Sequence, residues 1–140
     1  MRATLFIDGA SRGNPGPAAI GAVAYDEAGN KLFEISEAIG EATNNAAEYA
    51  ALIAGMGAAL AHGAKHLEVR SDSQLLVRQM RGEYKVKSAS LRPTISTARL
   101  VASRFALVEF IEIPRSENKE ADTLANLAFA PSSNEQLPLS

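Results

Sequence analysis

The chain opens with a short apolar run, Thr4-Leu5-Phe6-Ile7, that predicts a strand stopped by Asp8. Gly9–Pro17 is too rich in Gly and Pro to continue it and reads as a loop. Ala18–Tyr25 alternates small and apolar residues as a second strand. After the turn Asp26–Asn30 a third runs through Lys31–Ile39. A turn this short joins its strands as an antiparallel hairpin.

The period then lengthens. Asn44 or Asn45 caps a helix reaching about Ala61, which Gly63 ends. Lys65–Arg70 is a fourth strand, and Ser71 or Asp72 begins a helix to about Met80. Gly82–Ser90 reads as a loop. Pro93 suits the first turn of a helix that runs to about Arg104. Ala106–Ile113 alternates as a fifth strand, Pro114 stops it, Ser116 can cap, and Glu117–Phe129 is helical. The order β-β-β-α-β-α-α-β-α predicts a mixed five-stranded α/β sheet with helices on both faces. Residues 1–130 are expected to form one domain. Pro131–Ser140, with two prolines and three serines, is expected to be a flexible tail.

Composition narrows the function only slightly. At 140 residues, 46% hydrophobic and 21% charged, the chain can bury an ordinary core without staples. It has no cysteine, which excludes disulfides and thiolate metal sites and suits a reducing cytoplasm. Ala46–Ala61 is apolar but carries Glu48, so it reads as a buried helix rather than a membrane span. The net charge of −2 announces no nucleic-acid partner, yet Arg78, Arg81, Lys85, Lys87 and Arg92 are concentrated against the single acid Glu83. That cluster reads equally well as a solvated face.

The acids carry the candidate chemistry. An unpaired carboxylate at the tip of a buried strand is costly to desolvate and calls for a cation or a strong donor. Asp8 is in that position, and Asp72 repeats it after the fourth strand. If those strands are parallel neighbours, both emerge at the same end of the sheet, where such folds bind ligands. Glu48 on the first long helix and Asp122 on the last could converge there. Each has a plainer role available. Glu48 suits a capping box with Asn45, Asp72 suits an N-cap, and Asp122 suits a solvated helix face. Two like charges about 4 Å apart repel by roughly 4 kcal/mol at an effective dielectric near 20. Several such pairs would consume much of a net stability of about 5–15 kcal/mol. Convergence therefore implies bound cations, and oxygen-only ligands favour Mg²⁺ or Mn²⁺ over Zn²⁺.

Four segments, Asp8–Pro17, Thr43–Glu48, Ser71–Gln74 and Glu117–Asp122, resemble ribonuclease H type 1 in order and in the elements that carry them. The resemblance covers nearly the whole chain up to about Phe129. It implies a sheet of order 3-2-1-4-5 with the first three strands antiparallel. It also implies endonucleolytic hydrolysis of RNA paired with DNA, leaving 5′-phosphate and 3′-hydroxyl ends. Its acids carry over onto Asp8, Glu48, Asp72 and Asp122 as catalytic ligands for two Mg²⁺, with Mn²⁺ as the alternative. Gly9, Ala10, Ser11, Arg12, Asn14, Thr43, Asn44, Asn45 and Gln74 fall at substrate-binding positions, and amides suit a 2′-hydroxyl because both donate and accept.

Two departures stand out. Many members carry a catalytic His in a Gly-rich loop before the last Asp. Here the strand runs straight into Pro114-Arg115-Ser116-Glu117, and His62 and His66 flank the start of the fourth strand. Arg115 is the nearest replacement. It cannot shuttle a proton near neutral pH, so it would orient phosphate, as in short-loop members. The basic, tryptophan-bearing insertion is also missing. Lys85, Lys87 and Arg92 remain as a reduced handle, which predicts weaker binding with a shallower salt slope. The expected partner is an RNA/DNA hybrid, with double-stranded RNA a further candidate, no membrane, and a monomeric enzyme in the cytoplasm. The rivals are a catalytically dead hybrid-binding module and a related resolvase or transposase core.

Overall fold

The computed structural model describes residues 1–129. Five strands, β1 (Arg2–Ser11), β2 (Gly16–Asp26), β3 (Lys31–Ala42), β4 (His66–Ser71) and β5 (Leu107–Glu112), form one sheet of order β3-β2-β1-β4-β5. β1, β2 and β3 are antiparallel, whereas β4 pairs in parallel with both β1 and β5. Among the described residues four α-helices accompany the sheet: α1 (Asn44–Ala61), α2 (Gln74–Met80), α3 (Arg92–Ala102) and α4 (Lys119–Leu127). The predicted sheet and element order hold. The proposed tail at 131–140 lies outside the described residues.

Several boundaries differ from the sequence reading, each for a physical reason. β1 does not stop at Asp8. Gly9, Ala10 and Ser11 pair with Ile20, Ala19 and Ala18, so β2 supplies the ladder that the Gly-rich composition argued against. β3 likewise reaches Ala42. The cap of α1 is Thr43, whose Oγ1 accepts from the Ala46 N–H at 3.1 Å, rather than Asn44 or Asn45. For α2 it is Ser73, not Ser71 or Asp72. A 3₁₀ turn over Arg115–Glu117 precedes α4, which starts at Lys119 instead of Glu117, with no cap from Ser116.

The main core lies between the sheet and α1. Leu5, Ile7, Ile20, Ala22, Leu67 and Val69 pack there against Leu52 and Met56, with Leu76 of α2 and Ile95 of α3. A thinner layer, Ala19, Val23, Ala121, Leu124 and Ala125, lies under α4. Two glycines set how closely the helices approach. A Cβ on Gly9 would stand 2.3 Å from the Ala47 carbonyl carbon of α1. One on Gly21 would stand 2.2 Å from the Ala121 oxygen of α4. Gly21 faces Asp8 across the β1–β2 ladder. Cross-strand partners share a face and neighbours alternate, so α1 and α4 press on opposite faces at the level of Asp8. Ser36 Oγ ties α4 down by donating to the Leu124 carbonyl at 2.6 Å, and Lys31 pairs with Glu120 at 2.9 Å.

Gly9→Ala and Gly21→Ala should each lower unfolding free energy in urea by about 1–3 kcal/mol or more, since backbone rather than flexible side chain blocks the new methyl. Gly57→Ala is the opposite case: nothing lies within 4 Å of its Cβ position in mid-α1. It should stabilise by about 0.5–1 kcal/mol.

Candidate active site

Parallel pairing of β1 with β4 runs from Arg2↔His66 to Phe6↔Arg70. Asp8 and Asp72 each lie two residues past the last pair and so emerge at the same end of adjacent strands. Ser73 Oγ accepts from the Leu76 N–H at 3.2 Å and fills the cap of α2, which leaves the Asp72 carboxylate free of the helix. Glu48 is the fifth residue of α1, two past the Ala46 position that a capping box with Thr43 would use, so the capping-box role falls away. The close approach at Gly9 brings it to the strand instead, and the Gly9 N–H donates to Glu48 Oε1 at 3.2 Å.

One oxygen each from Asp8, Glu48 and Asp72 lie within 4.8 Å of one another. Asp122 is outside that trio. It stands on the α4 side, close enough to Asp8 to raise its pKa. All four acids, with Arg115, line one open pocket of about 600 Å³.

The energetic cost of this arrangement falls on the acidity of the carboxyl groups. Burial pushes Asp8 up to about 8, reinforced by Asp122 and Asp72 and opposed by the Arg115 guanidinium. Glu48 also rises to about 8, first through burial, then through repulsion from Asp8 and Asp72. The Gly9 N–H and Arg115 pull it down. Arg115 is thus within electrostatic reach of both acids.

The expected substrate strip surrounds this pocket. Gly9, Ala10, Ser11 and Asn44 form part of its wall. Asn14, Thr43, Asn44 and Asn45 line an adjoining hollow of about 480 Å³. Asn45, Lys85 and Lys87 line a third with Leu75 and Tyr84. Gln74, the first residue of α2, is exposed and follows Ser73 of the first pocket, but it is not among the lining residues of these three. The loop is stitched to α1: the Ser11 N–H donates to Asn44 Oδ1, and the Asn44 N–H donates to Asn14 Oδ1, both at 3.0 Å. Arg12 turns instead to the end of α4, its guanidinium 4.1 Å from the centre of the Phe129 ring.

The family model described as reverse transcriptase-like matches residues 6–128. Ribonuclease HI of Halobacterium salinarum is 43% identical over 128 residues, covering 91% of this chain and 64% of that protein. Its crystal structure superposes with a TM-score of 0.91 at 42% identity, covering 94% of this chain and 99% of that one. The chain belongs to the ribonuclease H type 1 family. LC11-RNase H1, isolated from compost and solved in complex with an RNA/DNA hybrid, is 43% identical with a TM-score of 0.87, covering 94% and 99%. The bifunctional protein Rv2228c of Mycobacterium tuberculosis is 45% identical over 130 residues, 92% of this chain and 36% of that protein. The chain therefore spans from about a third to just under two thirds of the length of these curated relatives.

As a ribonuclease H fold the pocket suits a hard divalent cation. The donors of the clustered trio are carboxylate oxygens, and burial followed by mutual repulsion holds two of the three above the usual carboxylate range. His62 and His66 are at the other end of β4, and His62 Nδ1 contacts the Ala58 carbonyl at 2.9 Å. Of the basic segment, Arg78 and Arg81 face Glu83, and Arg81 Nε donates to the Phe110 carbonyl. Lys85 and Lys87 have no ion-pair partner among the described residues.

Sequence reasoning missed two residues here. Glu112 ends β5 opposite Ser71 and joins the pocket wall, which its place as the last strand residue before Pro114 signalled. Asn118 is buried beside Asp72; it lies within the Glu117–Asp122 segment, but nothing in its immediate neighbours marked it for a role.

An acid whose pKa is raised by folding stabilises the fold when protonated, and that contribution is lost as pH climbs through the folded value. Metal-free protein should therefore lose thermal stability between the ordinary carboxylate values, 3.8 and 4.5, and about 8. Calorimetric melting in EDTA should show that decline, and millimolar Mg²⁺ should flatten it. A profile that is flat without metal would contradict the crowding.

Proposed function

We propose that the protein is a metal-dependent endonuclease that hydrolyses the RNA strand of RNA/DNA hybrids, leaving 5′-phosphate and 3′-hydroxyl ends. The carrying observation is the trio Asp8, Glu48 and Asp72, gathered within 4.8 Å at the end of the parallel strands. A related fold that holds an RNA/DNA hybrid supports the choice of substrate.

Asp8, Glu48 and Asp72 would hold one divalent cation, and Asp122 beside Asp8 would complete the place of a second. Mg²⁺ is the expected metal and Mn²⁺ the alternative, because all the donors are carboxylates. When bound, such cations activate a water and offset charge on the departing oxygen. Asp8 is central because it neighbours both the trio and Asp122. Arg115 takes the phosphate side: always cationic, it orients the scissile group and offsets charge without moving a proton. Asn14, Asn45 and Gln74 present amides to the minor-groove edge, where a ribose hydroxyl can both give and accept a hydrogen bond. Lys85 and Lys87 neutralise phosphates of the DNA strand, a small contact set with a shallow salt dependence.

Double-stranded RNA presents the same hydroxyls and is a candidate second substrate. We place the enzyme in the cytoplasm, a compartment that the cysteine-free sequence suits, and take it as a monomer. Among the described residues no helix is long and apolar enough to cross a membrane.

Purified protein with labelled RNA/DNA, RNA/RNA and DNA/DNA duplexes should cut the RNA of the hybrid only when Mg²⁺ or Mn²⁺ is present. Asp8→Asn should abolish cleavage while hybrid binding survives. Hybrid binding without cleavage by the native chain would favour a binding module instead. Arg115→Ala should lower kcat by about 10²-fold, the order seen when one charge-stabilising donor is lost, with a smaller effect on binding. An unchanged rate would make Arg115 a bystander.

A further inference from the structure

Asn118 occupies the N-cap position of α4 yet makes no capping hydrogen bond. Its side chain, 1% exposed, turns from the helix toward the sheet. There Nδ2 donates to the Ile7 carbonyl at 2.8 Å and, at 3.4 Å, to Oδ2 of Asp72. Both neighbours are acceptors, so the amide can be oriented only one way, with its nitrogen toward them. Oδ1 is buried with no hydrogen-bond partner among the described residues. The amide is therefore held by what it donates.

The same residue is anchored through its main chain. Its N–H donates to the Arg115 carbonyl at 3.0 Å, and its carbonyl accepts from the Asp122 N–H at 3.1 Å. Ile7 immediately precedes Asp8. One residue thus joins the backbone next to Asp8, the carboxylate of Asp72, the first turn beneath Asp122 and the turn bearing Arg115. Few side chains could take this place. A carboxylate would add charge to a crowded cluster and could not donate, whereas an amide donates twice and stays neutral.

We propose that Asn118 is a positioning residue of the metal centre. Its amide restricts the rotation of Asp72 and fixes the strand on which Asp8 stands, so that the acids present their oxygens to a divalent cation in one arrangement. The inference rests on the metal-dependent cleavage proposed above. Partners that orient metal ligands commonly contribute about 10- to 100-fold in affinity or activity.

The test compares Asn118→Ala and Asn118→Asp with the native chain. The readouts are hybrid-cleavage kinetics, Mg²⁺ affinity by calorimetry without nucleic acid, and melting in EDTA. Asn118→Ala should lower kcat by about 10- to 100-fold, leave KM for the hybrid unchanged, and weaken Mg²⁺ binding by about 10-fold. Asn118→Asp keeps the shape without the donors and should lose kcat similarly. A folded variant with native kcat and native Mg²⁺ affinity would overturn the proposal. So would a raised KM at constant kcat, which marks a substrate contact. Failure of both variants to fold would make Asn118 a stability residue and equally defeat it. If the native chain cuts no hybrid, the proposed function falls, and the calorimetric comparison alone still decides the role of Asn118.

Discussion

Two backbone-to-backbone contacts hold this molecule in an electrostatically unfavourable state. At Gly9 the first strand touches α1, and at Gly21, across from Asp8, the second touches α4. Neither contact has a side chain that could yield, so the helices cannot drift outward to relieve the acids between them. The apolar layers on both faces supply the force that closes the contacts. Burial of the acids is the result, with mutual repulsion added to it, and together they hold Asp8 and Glu48 well above the usual carboxylate range. Packing of the two helices on the sheet is what brings the acids of this centre together.

Most of the architecture was legible because it follows from local patterns. The hairpin, the alternation of later strands with helices, and Pro93 at the start of α3 each depend on a few neighbouring residues. What failed were properties set by distant partners. Gly9–Ser11 has loop-like composition, yet it is strand because Ala18–Ile20 lies beside it. The caps shifted by a residue or two, since Thr43, Asn44 and Asn45 are all competent and the surrounding fold selects among them. That selection has a chemical effect: with Thr43 and Ser73 serving as caps, Glu48 and Asp72 are released for other work. Asn118 was out of reach of any local rule, because its meaning lies in a bond to Ile7, more than a hundred positions away.

The surface chemistry is divided in the same way. The net charge is slightly negative, and the strongest concentration of acid is in the pocket itself. Among the described residues, several amides and the lysines Lys85 and Lys87, which have no ion-pair partner there, line the hollows beside it. A polyanion approaching this face would meet repulsion at the centre and attraction at the rim.

The β2–β3 turn lies at the far end of the long hairpin from this pocket. Asp26 sits opposite Ala3, five residues and roughly 17 Å along the ladder from the Gly21–Asp8 pair. The turn closes on itself: the Asp26 carboxylate accepts from the Ala28 and Asn30 N–H groups at 2.9 Å, and nothing packs against Gly29. The sheet therefore keeps a passive end and a reactive end well apart. A dye, an affinity handle or a surface tether installed at the bend would leave the acidic rim unencumbered.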